Sequence, residues 1–78
     1  MKTELRIVAQ AVRDTISKYK IGRKFSGTEL KNDVVRICPI AKYKYVDTIL
    51  RRMRAIKKNG KRTCICIDHD ASIYQKIA

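Results

Sequence analysis

The sequence contains few acidic residues and no long hydrophobic segment. Seven Asp and Glu residues accompany 19 Lys and Arg residues in a chain of 78, which gives a formal net charge of +12. No apolar run approaches the roughly 20 residues that a membrane-spanning helix needs. Residues 1–12 contain three charged side chains, where a secretory signal would have an apolar core. We therefore expect a cytoplasmic, single-domain protein with a polyanionic partner and no membrane contact.

Glycine and histidine are too scarce to form the common catalytic motifs. The three glycines lie singly at predicted element boundaries, so they form no glycine-rich phosphate-binding loop. The single histidine, His69, lies between Asp68 and Asp70 in a polar stretch that is typical of a solvated turn. The sequence therefore predicts a non-enzyme with no catalytic residues and no cofactor.

Cysteine is present in an odd number, which argues against a disulfide framework. We expect Cys38, Cys64 and Cys66 to be reduced and largely buried, because free cysteine packs as a small hydrophobic residue. The alternative is a zinc or redox site formed by Cys64 and Cys66 with His69. We expect no metal site, because the two cysteines lack the usual two-residue gap and there is no second pair.

Periodic apolar residues predict a first helix over about residues 3–20. They recur at spacings of three and four, as on one face of a helix, and Gly22 follows as a stop signal. Ile7 and Ala11 lie off this face, and we interpret them as exposed apolar residues, with a dimer contact as the alternative. The apolar face consists of Leu5, Val8, Ala9, Val12, Ile16 and Tyr19.

A capping box predicts the start of a second helix over about residues 27–37. The Ser26 hydroxyl can accept a hydrogen bond from the Glu29 amide, while the Glu29 carboxylate accepts one from the Ser26 amide. Pro39 prevents the helix from continuing. The apolar face of this helix consists of Leu30, Val34 and Ile37.

A third helix is predicted over about residues 42–58. It follows the second helix after a brief connection that is typical of a helix-turn-helix. Asn59 and Gly60 provide its stop signal. Its apolar face consists of Val46, Ile49, Leu50, Met53 and Ile56.

The hydrophobic period changes to two near the end of the chain, which predicts a β-hairpin over about residues 62–77. Thr63, Ile65 and Ile67 alternate with Cys64 and Cys66, and residues 68–71 form a polar turn. Because an isolated hairpin is marginally stable, we expect its isoleucine side to cover the helices.

This order of elements resembles a winged helix-turn-helix domain over about residues 3–77. The resemblance implies an α+β, mainly helical fold, with three helices and a C-terminal hairpin (the wing) in one domain over residues 1–78. It also implies that residues 23–25 pair as a short third strand and that the third helix is the recognition helix. Wings of this family often have a basic tip. The tip here is Asp68-His69-Asp70, so we do not expect it to enter a groove of DNA.

Most of the positive charge lies in residues 42–62, which contain nine basic residues and one acidic residue, Asp47. The side of the third helix opposite its apolar face can donate hydrogen bonds to phosphates and base edges. Asp47 is placed to pair with Arg51 four residues later. Of the two tyrosines near the helix start, Tyr45 is the better contact candidate, with burial of one of them beneath the turn as the structural alternative. The candidate DNA-binding residues are Lys42, Lys44, Tyr45, Thr48, Arg51, Arg52, Lys57, Lys58, Lys61 and Arg62.

The sequence thus predicts sequence-specific binding of double-stranded DNA by a small transcriptional regulator whose third helix lies in the major groove. With about six phosphate contacts, its affinity is expected to fall about a thousandfold between about 50 and about 200 mM salt. A homodimer on a two-fold site would give useful specificity. An RNA-binding module and a winged-helix protein-interaction adaptor are the alternatives.

Overall fold

The computed structural model describes residues 2–78, within which there are three α-helices, a 3₁₀ helix and five short strands. The chain is a small α+β fold with antiparallel strands, as predicted at the level of fold class. No helix within residues 2–78 is long and apolar enough to cross a membrane. In chain order, the elements are α1 (Lys2–Lys18), β1 (Lys24–Ser26), α2 (Gly27–Ile37), the 3₁₀ helix (Pro39–Tyr43), α3 (Val46–Arg54), β2 (Lys57–Lys58), β3 (Lys61–Arg62), β4 (Cys64–Asp68) and β5 (Ile73–Lys76).

The first helix packs its predicted apolar face into the core and ends two residues earlier than predicted. Val12 and Ile16 are at most 2% exposed. The helix stops at Lys18, where the buried Lys76 side chain caps it. The Nζ atom of Lys76 donates hydrogen bonds to the carbonyl oxygens of Ile16 at 2.7 Å and Tyr19 at 2.8 Å. A cation at this position also interacts favourably with the helix dipole.

Ala11 was predicted to be exposed and Ile37 to be buried, and both predictions were wrong. Ala11 is only 6% exposed, because the end of α2 passes beside this edge of α1. Ile37, in the last turn of α2, is 47% exposed instead of buried with the rest of its apolar face. Ile7 is half exposed, as predicted, and lines a shallow groove with these two residues.

The second helix has the predicted bounds and the predicted capping box. The Glu29 amide donates to Ser26 Oγ at 3.0 Å, and the Ser26 amide donates to Glu29 Oε1 at 3.3 Å. A Cβ atom on Gly27 would lie 3.0 Å from Val46 Cγ1 and 3.3 Å from Leu50 Cδ1. Because Gly27 has no side chain, the start of α2 packs directly against α3.

The third helix is shorter at both ends than the predicted range of 42–58. Pro39 begins a separate 3₁₀ helix, and Lys44 and Tyr45 then have extended backbone before α3 starts. At the other end, the Ile56 amide donates to the Met53 carbonyl at 3.1 Å, which tightens the last turn before β2. The apolar face of α3 is confirmed. Its buried members are Ile49, Leu50 and Met53, with Val46 and Ile56 partly buried against the core.

The C-terminal hairpin joins β1 in a three-stranded antiparallel sheet with strand order β1-β5-β4. Phe25 of β1 lies opposite Tyr74 of β5, so the predicted pairing of this stretch with the hairpin is confirmed, over residues 24–26. The ring centroids of Tyr19 and Tyr74 lie 5.1 and 6.1 Å from that of Phe25. This aromatic group packs the sheet against the residue that directly follows α1.

The side of the hairpin that faces the helices was predicted incorrectly. Cys64, Tyr74 and Lys76 are buried, whereas both isoleucines of β4 are 41% exposed. Cys64 lies opposite Lys76, and Cys66 lies opposite Tyr74, so these residues share the inward side of the sheet. Every residue of β4 before Asp68 is apolar, so the pattern of that strand alone does not identify its buried side.

Candidate nucleic-acid interface

The third helix presents a short basic face on the side away from the core. Thr48 and Arg51 lie near the middle of this face, with Ala55 just beyond the helix, and Arg52 lies at the edge next to α1. These four residues are referred to below as the α3 face. Among the residues that the structure describes, neither arginine forms an ion pair, and the predicted pairing of Asp47 with Arg51 does not occur. The α3 face therefore offers two guanidinium groups without acidic partners.

Three predicted contact residues precede α3 and are not part of it. Lys42 lies in the 3₁₀ helix, and Lys44 and Tyr45 lie in the extended backbone that follows. The Nζ atom of Lys44 is 3.2 Å from Glu4 Oε1 of α1, and the Lys44 side chain is only 25% exposed. The prediction that Lys44 lies on the outward side of the third helix was therefore wrong, because Pro39 starts a separate helix and Lys44 pairs with α1.

Two tyrosines near the start of α3 extend into solvent. Tyr43 is 74% exposed and Tyr45 is 84% exposed, so neither packs beneath the turn. The Nζ atom of Lys42 lies 5.0 Å from the centroid of the Tyr43 ring, within the range of a cation–π interaction. Exposed aromatic rings beside cations can contact a sugar or stack on an unpaired base.

A two-stranded hairpin, which was not predicted from the sequence, follows α3. Asn59 and Gly60 at its turn have φ values of 55° and 77°, the left-handed conformation that both central residues of a type I′ turn require. An Asn-Gly pair is a strong hairpin signal, which was interpreted instead as a helix stop. Residues 57–62 are referred to below as the basic hairpin. Its four exposed cations are Lys57, Lys58, Lys61 and Arg62.

Arg54 differs from the other cations of α3 because it is bound to the sheet. Its Nη1 atom donates a hydrogen bond to the Tyr74 hydroxyl at 3.3 Å, and the side chain is partly buried. This contact links α3 to β5. Arg54 therefore stabilises the domain and does not belong to the α3 face.

The turn of the C-terminal hairpin is acidic and exposed. Asp68, His69 and Asp70 are all exposed, and Asp68 Oδ1 accepts a hydrogen bond from the Ala71 amide at 3.1 Å. Residues 68–70 are referred to below as the acidic tip. Two carboxylates at this position disfavour an approach to phosphate groups.

A second group of charged residues, between α1 and α2, is internally compensated. The Tyr19 hydroxyl donates to Asp33 Oδ2 at 2.5 Å, and Arg36 Nη1 lies 3.2 Å from Asp33 Oδ1. The Arg23 guanidinium carbon lies 3.9 Å from the centroid of the Tyr19 ring. Burial, together with the hydrogen bond to Asp33 and its negative charge, raises the pKa of Tyr19 above its usual value. These cations are occupied by contacts within the protein.

The cysteines do not gather into a site. Cys38 and Cys64 are buried, whereas Cys66 is exposed, so the prediction of buried thiols was wrong for Cys66. Residues 65–71 are exposed throughout, because this end of the hairpin extends past the helices. Burial raises the pKa of the Cys64 thiol, which keeps it protonated at neutral pH. Within residues 2–78, no group of three His, Cys, Asp or Glu residues is placed to hold a metal ion.

The predicted contact residues fall into three groups along one stretch of chain. One group precedes α3, one lies on the α3 face, and one forms the basic hairpin. All are exposed except Lys44 and Thr48, which are partly buried. The chain matches no protein-family model, no curated protein and no solved structure at a significant level. The functional conclusion therefore depends on the charge, exposure and placement of these residues.

Proposed function

We propose that this α+β domain is a winged helix-turn-helix domain that binds double-stranded DNA sequence-specifically and acts as a small transcriptional regulator. The observation that carries the proposal is the α3 face, where Arg51 and Arg52 are exposed and have no ion-pair partner among the described residues. The strand order β1-β5-β4 and the close packing of α2 on α3 support the assignment of the fold.

In the proposed complex, α3 lies in the major groove of the duplex, which is wide enough to admit an α-helix. Arg51, near the middle of the α3 face, donates two hydrogen bonds to the O6 and N7 atoms of a guanine. Thr48 contacts a base or a phosphate, and the small side chain of Ala55 permits a close approach. The nine residues of α3 span only about 13.5 Å, so one copy reads few base pairs. Two copies on a two-fold site supply the remaining specificity.

The basic hairpin supplies phosphate contacts beside the groove that α3 occupies. Its four cations are exposed and have no ion-pair partner within the part of the chain that the structure describes. Contacts of this kind contribute affinity and carry no sequence information. The acidic tip faces away from the phosphates in this arrangement, since its carboxylates would be repelled by them.

Fluorescence anisotropy with a labelled random-sequence duplex tests the proposal. We expect the affinity of the wild-type protein to fall about a thousandfold between about 50 and about 200 mM salt, as for about six phosphate contacts. The double variant Arg51→Ala/Arg52→Ala should bind this random-sequence duplex about tenfold more weakly, because two cations that contact the duplex are lost.

Lys18→Ala/Lys20→Ala is the matched control, because it removes the same charge from exposed residues outside the α3 face. It should retain most of the affinity. Equal losses in the two double variants would show that net charge alone drives binding, and no binding by the wild-type protein at low salt would overturn the proposal.

RNA binding is the second candidate function, and the exposure of Tyr43 and Tyr45 favours it. Aromatic rings in solvent stack readily on unpaired bases, which are common in RNA loops and absent from an intact duplex. Competition between duplex DNA and a hairpin RNA of the same length distinguishes the two functions. Tyr43→Ala/Tyr45→Ala should weaken RNA binding more than DNA binding if the tyrosines stack on bases.

A further inference from the structure

Three arginines line a cleft between α1 and α3. The cleft has a volume of about 350 Å³ and is lined by Arg6 and Arg13 of α1 and Arg52 of α3. Arg6 and Arg13 are seven residues apart, so they lie on the same side of α1 and about 10.5 Å apart along its axis. Leu5 and Ala9 contribute the apolar part of the cleft lining.

The positive charge of this cleft has no acidic partner. Among residues 2–78, none of the three arginines forms an ion pair, and no acidic residue lines the cleft. Arg13 Nη2 donates to Gln10 Oε1 at 2.7 Å, but that acceptor is neutral. Three like charges along one cleft repel one another, and a bound anion would relieve that repulsion.

A simpler explanation accounts for part of the arrangement. The aliphatic parts of long cationic side chains often cover apolar surface, and Leu5 and Ala9 provide such a surface here. Covering these two apolar residues does not require three cationic side chains along one cleft. Guanidinium groups match phosphate oxygens in shape and charge, which makes phosphate the best-suited occupant.

We propose that this cleft holds one backbone phosphate of the DNA duplex, beside the base pairs that α3 reads. The inference rests on the proposed function, because Arg52 belongs both to the cleft and to the edge of the α3 face. It extends the interface to Arg6 and Arg13, two residues that were not among the predicted contacts. The first helix then fixes the orientation of α3 on the duplex, since phosphate contacts set register and not sequence preference.

The double variant Arg6→Gln/Arg13→Gln tests the inference by its effect on the salt dependence of duplex binding. The slope of log affinity against log salt should become shallower by about 0.9, the value for one phosphate. Affinity should fall by about tenfold, equally for all duplex sequences, because charge-assisted hydrogen bonds to one phosphate are lost. Lys18→Gln/Lys20→Gln is the matched control on the same segment of chain, and its slope should equal that of the wild-type protein.

The outcomes separate this inference from the proposed function. An unchanged slope in the arginine variant, with wild-type and control proteins still binding the duplex, would overturn the cleft assignment and leave the proposed function intact. Failure of the wild-type protein to bind any duplex would overturn both. If circular dichroism shows that the double variant does not fold, the single variant Arg6→Gln provides the same test, because the Arg6 side chain donates no hydrogen bond within the described residues.

Discussion

The two β-hairpins of this domain share an antiparallel topology but differ in burial and charge. The basic hairpin exposes all of its residues, whereas the C-terminal hairpin buries Cys64, Tyr74 and Lys76 and ends in the acidic tip. A hairpin that buries nothing contributes little to the core, so packing does not restrict its charges. The comparison indicates that the C-terminal hairpin stabilises the fold, whereas the cations of the basic hairpin are free to contact a polyanion.

The largest expected effect is a difference in stability between variants of two lysines, Lys76 in the C-terminal hairpin and Lys58 in the basic hairpin. Lys76→Met removes the donor that caps the carbonyl oxygens of Ile16 and Tyr19, and should lower the free energy of unfolding by about 3 kcal/mol. Lys58→Met, on the exposed basic hairpin, should change it by less than about 0.5 kcal/mol. Urea denaturation followed by circular dichroism measures both values. Similar losses in the two variants would contradict the division between the hairpins.

A charge-removing variant of the basic hairpin should affect binding and leave stability nearly unchanged. Replacing its four cations by Gln should weaken duplex binding by about thirtyfold, at about 0.5 kcal/mol for each exposed charge. Asp68→Asn/Asp70→Asn at the acidic tip is the comparison variant, and it should bind slightly more tightly because two repulsive charges are lost. Both are measured by anisotropy at low salt. Unchanged binding by the basic-hairpin variant would remove this hairpin from the interface.

The smallest expected effect concerns the turn of the basic hairpin. Gly60 has a φ of 77°, so Gly60→Ala should cost about 1 kcal/mol locally. Because the hairpin buries nothing, the loss should appear as faster hydrogen exchange of its own amides, with protection in α1 unchanged. Asn59→Gly is the control, since glycine accepts the left-handed backbone of that position. Equal exchange rates in Gly60→Ala and the wild-type protein would show that the type I′ turn does not order this segment.

Local signals in the sequence predicted much of the fold. The capping box at Ser26 and Glu29 depends on residues three apart, and it fixes the start of α2 without any tertiary contact. The apolar face of α3 is likewise set by helical spacing. The buried side of β4 was mispredicted because it depends on Tyr74 and Lys76, whose own burial depends on α1.

The charge of the candidate site could be predicted from the sequence, whereas the pairing and placement of its residues could not. The high density of cations in residues 42–62 is visible in the sequence, but which of them are exposed is not. The pairing of Lys44 with Glu4, and the placement of Arg6, Arg13 and Arg52 along one cleft, both depend on how α1 packs against the rest of the chain. The spacing of seven residues between Arg6 and Arg13 was visible, but nothing local indicated a partner across the cleft.

Selection from a random duplex library at near-physiological salt tests the central claim most directly, namely that the α3 face reads DNA sequence. The wild-type protein and the basic-hairpin variant should enrich the same short site, the latter more weakly. The Arg51→Ala/Arg52→Ala variant should lose preference at the base position that Arg51 contacts. Enrichment of an identical site by this arginine variant would contradict the account, and so would a wild-type protein that enriches no site.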